Sequence, residues 1–384
     1  MKPLTISYYV HPYQSLHRAA LVNQQLLRNH CDRLLIVSNP EDADRLAAQA
    51  DVVILHVPLD QLERIYAAYP VLNHKYVIGY IVFEASEITA PWAKALSRVQ
   101  EVWTASRYCT EVLQKYHRQV IRIPHVIERD VACSEADRAF IRRLIGHQPQ
   151  NVYFLSISAV GDTRKNTNEL VECFLGVSDA MPGARLVIKS TRPNDPDAVA
   201  DHPQVIYLKG VYTASQLNAL YELTDVYVSP HHAEGWGYTL SDAMLFGKPV
   251  IGTRYSGNLD YMNDENSFLI DAEEDFVRPE DQNAVFGPSM KWAYPSRSGL
   301  REKLTLLYRN VNEEWVARKT EQAREDIRQF SGRAVRQLIQ QRLDQLRALL
   351  PKRPAPGGGI TARGAAGPAW GTDGAHGWPA NALK

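Results

Sequence analysis

Twice along the chain, short runs of β-branched and aromatic residues alternate with segments of helical periodicity, and nothing else in the sequence restricts the fold as much. The first series is LTISYYV, RLLIVS, DVVILHV, YVIGYIVF, EVWTAS and QVIRIP, separated by stretches such as LHRAALVNQQLLRNH. The second begins near residue 151 with VYFLSIS and continues through ARLVIKS, QVIYLKG, TDVYVSP, KPVIGT and SFLID. Such alternation folds as parallel sheet covered by helices, because parallel neighbours need a crossover connection. The expectation is an α/β protein of two Rossmann-like domains, 1–148 and 149–330. Open parallel sheets bind ligands at the carboxyl ends of their strands, so a cleft between the two domains is the expected site.

From about residue 296 the chain reads as helix, ending in an amphipathic segment, 331–350, with Val335, Leu338, Ile339, Leu343, Leu346 and Leu350 on one face. Residues 351–384 are rich in Gly, Pro and Ala and are read as a disordered tail. The 43 basic and 43 acidic side chains cancel, which argues against nucleic acid as the main partner. No apolar run approaches the roughly 20 residues of a membrane span, so a cytoplasmic protein is expected. Arg328, Arg333, Arg336, Arg342, Arg347, Lys352 and Arg353 face few acids and would permit weak contact with anionic lipid, although solvated helix faces explain them more simply. Cys31, Cys109, Cys133 and Cys173 lie far apart, with no C-x-x-C pair, and are expected to be buried free thiols rather than disulfides or metal ligands.

The densest chemistry lies in HHAEGWGYTLSDAMLFGKPVIGTRYSGNLDYM, residues 231–262. A strand, DVYVSP, runs into a loop holding His231, His232 and Glu234, and the helix behind it is stopped by Gly247 just ahead of Pro249. Glu234 thus stands on the lip of the loop and Asp242 inside the helix. Gly235 and Gly237 let the backbone approach a ligand, and the unpaired N–H groups of the first turn, around Trp236 to Leu240, form an anion-binding end. A second glycine turn, with Ser256, Gly257 and Asn258, follows the next strand and can offer more N–H groups to the same phosphates. A third loop, after VYFLSIS, carries Arg164, Lys165 and Asn166; paired cations there would neutralise a diphosphate as its bond to carbon breaks. Each feature alone fits an ordinary surface loop, whereas three on neighbouring strand ends point to a site.

RKN at 164–166, ASQLNALYELTDVYVSPHHAEGWGYTLSDAMLFGKPVI at 214–251 and SGNLDYMNDENSFLI at 256–270 together resemble the donor-binding half of glycosyltransferase family 4, the retaining group 1 glycosyltransferases of GT-B fold. The family's E-x7-E signature reads here as Glu234 and Asp242, the second acid shortened by one methylene. The resemblance implies a catalytic set of Glu234, Lys165 and Arg164. Glu234 and the amides after it, at Trp236 and Gly237, would hold hydroxyls of the transferred sugar, and Arg164 and Lys165 the diphosphate. It implies further that the amides of Tyr238 and Thr239 add to phosphate binding, that Asp242 holds the ribose, and that the loop at Val211 and Tyr212 lies near the base. The implied substrate is a UDP- or GDP-linked sugar, with a carbohydrate or glycolipid acceptor, no tightly bound cofactor and no metal.

In the first domain, residues 80–113 and IRIPHVI at 121–127 are similar to one branch of the same family. The glycine-rich loop that many members place after the first strand is not apparent in YYVHPYQSLHRAAL. His232, beside Glu234, and Glu84 and Glu87 are candidates for the acceptor side. The resemblance also implies final helices that cross back onto the first domain, and domain closure that excludes water. The expected function is transfer of a sugar, with retention, to an acceptor hydroxyl in polysaccharide or glycoconjugate biosynthesis. The same fold would also serve a catalytically silent binding or partner subunit, or a sugar-nucleotide epimerase.

Overall fold

The computed structural model describes residues 3–192, 195 and 201–350. The expected tail, with Lys352 and Arg353, lies outside the described residues. The first series of β runs forms one parallel sheet from β1 (Thr5–Val10), β2 (Arg33–Val37), β3 (Val52–His56), β4 (Tyr76–Tyr80), β5 (Glu101–Thr104) and β6 (Val120–Arg122), in the order β2-β1-β3-β4-β5-β6. Its helices are α1 (Gln14–Arg28), α2 (Ala43–Gln49), α3 (Leu62–Ala68), α4 (Ala90–Leu96) and α5 (Arg107–Gln114). The central strand VVILH is apolar at nearly every position because both its faces are covered: Val53 and Leu55 enter one core, Val52 and Ile54 another.

After α6 (Glu135–Leu144), the second series forms β7 (Val152–Ser158), β8 (Ala184–Ser190), β9 (Val205–Leu208), β10 (Val226–Ser229), β11 (Val250–Thr253) and β12 (Phe268–Ile270). They are all parallel, in the order β12-β11-β10-β7-β8-β9. Between them run α7 (Thr167–Leu175), α8 (Ala214–Leu223) and α9 (Tyr238–Leu245). The strand order reverses between β1 and β3 in the first sheet, and between β7 and β10 in the second. At such a switch point the flanking loops diverge to opposite faces and leave a crevice.

An antiparallel pair then follows that the sequence reading did not anticipate: β13 (Ala272–Phe276) and β14 (Lys291–Pro295). Its segment puts Val277, Phe286, Met290 and Trp292 into the core of the first sheet, together with Phe83, Ala85 and Ile88. The Phe286 ring lies 6.0 Å from Phe83 and 5.2 Å from Trp292. Ser86 and Lys291 bind each other across the joint, Ser86 N–H donating to the Lys291 carbonyl (3.0 Å) and Lys291 N–H to Ser86 Oγ (2.8 Å). Burying large apolar side chains is worth about 1.5–3 kcal/mol each. The two sheets are thus joined by a shared core as well as by the chain that links them.

The helices α10 (Arg297–Asn310), α11 (Glu314–Asp326) and α12 (Gly332–Leu349) complete the chain. Val335, Ile339, Leu343 and Leu346 of α12 pack into the first sheet's core, so the last helix returns across the joint. Leu338, expected on that stripe, is instead 40% exposed. Arg342 is not a free surface cation: its guanidinium grips the fully buried Glu101 carboxylate at 2.8 and 2.5 Å. Arg328 and Arg347 pair with Glu325 (2.7 Å) and Asp344 (2.8 Å), so these two cations of the expected basic face, like Arg342, have acidic partners. All four cysteines are free; Cys109 and Cys173 are buried, whereas Cys31 and Cys133 are half-buried, a correction to the expectation of four buried thiols. Among the described residues, no helix is long and apolar enough to cross a membrane.

Candidate functional site

The loops after β7 and β10, which flank the second switch point, are laced together. His232 N–H donates to the Arg164 carbonyl (2.8 Å), Arg164 Nη1 to the Ala233 carbonyl (2.7 Å), and Asn166 Nδ2 to the Pro230 carbonyl (3.0 Å). Asn166 takes φ 55°, a left-handed conformation that Asn tolerates better than most residues. This lacing brings the three residues expected to be catalytic into one cluster. The Glu234 carboxylate bonds to the Lys165 ammonium and lies 3.4 Å from Arg164 Nη1. Burial opposes ionisation of Glu234, which is 6% exposed, but Lys165 and Arg164 outweigh it and hold its carboxyl down at about 2.

Glu84 reaches the same cluster from the loop after β4, with its carboxylate 4.0 Å from Arg164 Nη2. Burial raises its pKa, Arg164 opposes that rise and Glu234 adds to it. Glu87 forms no ion pair among the described residues and is half-buried. His232 does not face this cluster. It is buried against the hairpin, its ring stacked on Trp292 at 5.1 Å and its Nδ1–H donating to the Ala293 carbonyl at 2.7 Å, and burial drives its pKa down to about 4.

The glycines serve contact between loops as much as access. A Cβ on Gly235 would lie 2.1 Å from Val82 Cγ1 in the first domain, and a Cβ on Gly257 2.2 Å from the Gly235 carbonyl oxygen. Gly257 N–H donates to the Glu234 carbonyl (2.8 Å), and Glu234 N–H to Ser256 Oγ (2.7 Å). Asn258 is fully buried, accepting from His231 Nε2 and donating to the Thr253 carbonyl. The second glycine turn was expected to offer amides to a phosphate. At Gly257 that expectation is corrected: the amide is consumed in bracing the loop of Glu234.

The start of α9 is less open than expected, because the Leu240 N–H donates to the Gly237 carbonyl (3.1 Å). Gly237, at φ 87°, occupies the cap position with no side-chain acceptor, and the first turn contains no acid. Trp236 is buried with its Nε1 lacking a partner, Tyr238 Oη is likewise buried and unpaired, and the Thr239 carbonyl accepts from Tyr221 Oη. Asp242 is far from an open acid. It is 3% exposed, and its oxygens receive Arg18 Nη1 (2.7 Å) and Nη2 (2.8 Å) and Arg129 Nη1 (2.7 Å). Arg18 and Arg129 were not singled out in the sequence, since each lies more than 100 positions from its partner (|i−j| 224 and 113) and no local pattern links them. Farther out, Val211 is 85% exposed and Tyr212 packs under Lys189 Nζ at 4.6 Å, on the loop between β9 and α8. Among the described residues no three His, Cys, Asp or Glu side chains are grouped so as to hold a metal ion.

This architecture recurs in solved structures of low sequence identity. A glycosyltransferase from Rickettsia africae ESF-5 superposes with a TM-score of 0.68 at 14% identity, covering 92% of this chain and all of that one. Anabaena HepE in complex with UDP and glucose gives 0.62 at 13% identity, over 89% of this chain and all of HepE. Sucrose-phosphate synthase from Thermosynechococcus elongatus gives 0.63 at 13% identity, over 90% of this chain and all of the synthase. In sequence, trehalose synthase from Pyrococcus horikoshii is 23% identical over 211 residues, which is 46% of this chain and 50% of that protein. The match thus spans about half the length of that relative. These likenesses establish a GT-B type fold of two facing α/β domains, and residues 151–279, which carry Arg164, Lys165, Glu234 and Asp242, match the family model of the group 1 glycosyl transferases.

Proposed function

We propose that the protein is a retaining glycosyltransferase that moves a sugar from a nucleoside diphosphate sugar to an acceptor hydroxyl. The observation that carries this reading is the convergence of Glu234, Arg164 and Lys165 at the second switch point, beside an uncapped helix start. In the proposed reaction the bond between the sugar's anomeric carbon and the diphosphate oxygen breaks while the acceptor oxygen bonds to the same face. The departing phosphate oxygen takes the acceptor's proton. Arg164 and Lys165 meet the charge that develops on the leaving group, and the first amides of α9 add to it. Glu234, held ionised, orients a sugar hydroxyl and keeps the two cations in place. Glu84, protruding from the other domain, stands on the acceptor side. UDP is the first candidate leaving group, because HepE was solved with UDP and glucose. A polysaccharide or glycoconjugate acceptor accords with this reading.

One observation favours a second reading, that of a silent binding subunit: Asp242, the residue expected to hold the ribose, is already saturated by two arginines. Calorimetric titration of the full chain with UDP, GDP and ADP separates the two. The transferase reading expects saturable binding of one diphosphate, weakened about tenfold or more in Lys165→Ala. Absence of binding to all three nucleotides would leave the silent subunit as the better account.

A further inference from the structure

The sequence lacks a glycine-rich loop after β1, yet the first domain still reaches the donor side of the cleft, with a side chain. We propose that Arg18 is the first domain's ligand for the donor diphosphate, a role that rests on the transferase reading above. Arg18 lies on α1, directly after β1 and hence at the switch point of the first sheet. Its guanidinium carbon sits 4.1 Å from the centroid of the Tyr238 ring, the residue that opens α9. It therefore stands over the uncapped helix start that the proposed reaction uses for phosphate.

Two further observations point to an anionic, hydroxyl-bearing ligand at this place. Arg18 and Arg129 share one carboxylate, Asp242, so that one positive charge in this small group of residues is left without a counter-charge. The Arg18 side chain is 30% exposed, whereas that of Asp242 is 5% exposed, so of the two it is Arg18 that borders solvent. Beside them the wall of the site holds polar atoms that nothing in the protein satisfies. Both ring nitrogens of buried His125 lack a partner, as do Trp236 Nε1 and Tyr238 Oη. The His125 ring stacks on Tyr238 at 4.8 Å and lies 5.7 Å from Trp236, so these groups form one cluster. Buried polar groups are rarely left unpaired, and a neutral imidazole offers one donor and one acceptor. A diphosphate joined to a sugar and a ribose supplies acceptor oxygens for the donors, hydroxyls for the acceptor and the missing negative charge. On binding, the ribose hydroxyls take over Asp242 and Arg18 turns onto the phosphates, with Arg129 keeping Asp242 ionised.

The test is calorimetry on the full chain with UDP and with uridine, for wild type, Arg18→Ala and Arg18→Lys, each checked for folding by its thermal transition. Arg18→Ala is expected to weaken UDP about tenfold or more while changing uridine by less than about twofold, with Arg18→Lys between wild type and Ala. The dependence of UDP affinity on salt should also fall in Arg18→Ala. Unchanged UDP affinity in Arg18→Ala overturns the assignment, and so does an equal loss of UDP and uridine, which would make Arg18 a support for Asp242 only. If Arg18→Ala does not fold, Arg18→Lys decides alone by the same comparison. If wild type binds no nucleotide diphosphate, the transferase reading itself fails, an outcome separate from normal wild-type binding that Arg18 does not affect.

Discussion

At the scale of single residues, the site is a balance of buried charges in which Glu234 is the pivot. Its carboxyl sits near 2 against an ordinary 4.5, because Lys165 and Arg164 outweigh the cost of burial. A depressed acid stabilises the fold fully above its ordinary pKa, and that contribution is lost as pH falls from about 4.5 toward 2. Glu234→Gln should therefore lower stability at pH 7 by of the order of 3 kcal/mol, through the cations it leaves unpaired. It should also show a smaller further loss than wild type between pH 4.5 and 2, which denaturant melts at several pH values would measure. The residues of this cluster were legible in the sequence because each sits in a short motif at a strand end. Arg18 and Arg129 were not. A guanidinium that finds its carboxylate through the tertiary fold leaves no spacing to read. His232, two residues before Glu234, was read as a site residue; the hairpin claims its ring instead, through the stack on Trp292 and the bond from Nδ1–H to the Ala293 carbonyl, contacts made through the tertiary fold that no spacing announces.

Elements were legible to different degrees. The twelve strands of the two parallel sheets announce themselves as apolar runs because both faces of each sheet are covered. The hairpin of β13 and β14 did not. AEEDF carries three consecutive acids, shows no alternation and is exposed along most of its length, and the apolar contribution of the hairpin comes from Phe286, Met290 and Trp292, which lie in or beside the turn and the return strand. The same holds for the second glycine turn, whose sequence suits an anion nest but whose Gly257 amide is claimed by Glu234. Trp292 is fully buried at the joint, so Trp292→Ala should cost about 3–5 kcal/mol in denaturant unfolding. Because Trp292 carries the ring on which His232 stacks, the loop of Glu234 should loosen with it, and nucleotide affinity should fall alongside stability.

For the whole molecule, the two sheets meet through contacts too close for slack. The backbone at Gly235 abuts Val82 of the first domain, so Gly235→Ala should force a displacement costing about 1–3 kcal/mol and impair turnover. Val82→Ala removes the offending methyl groups, and the double variant should recover most of the stability lost in Gly235→Ala; a double variant no better than Gly235→Ala would show that the alanine acts elsewhere. The two-domain plan was readable from the rhythm of strands and helices; the stripe on α12 marked an amphipathic helix, and its return to the first domain was implied by the resemblance alone. How firmly the domains are joined was not, since it depends on a segment that no periodicity marks.

That joint bears on how such a chain can diversify. Proteins of two facing α/β domains invite the idea that a donor half and an acceptor half are interchangeable parts. Here the second half lends Val277, Phe286, Met290 and Trp292 to the first half's interior. A new first domain would have to arrive already shaped to receive those four side chains, or the graft would leave them in water. Change in the first domain is then confined to loops around a fixed seam, and the lineage of the two halves is tied together by packing.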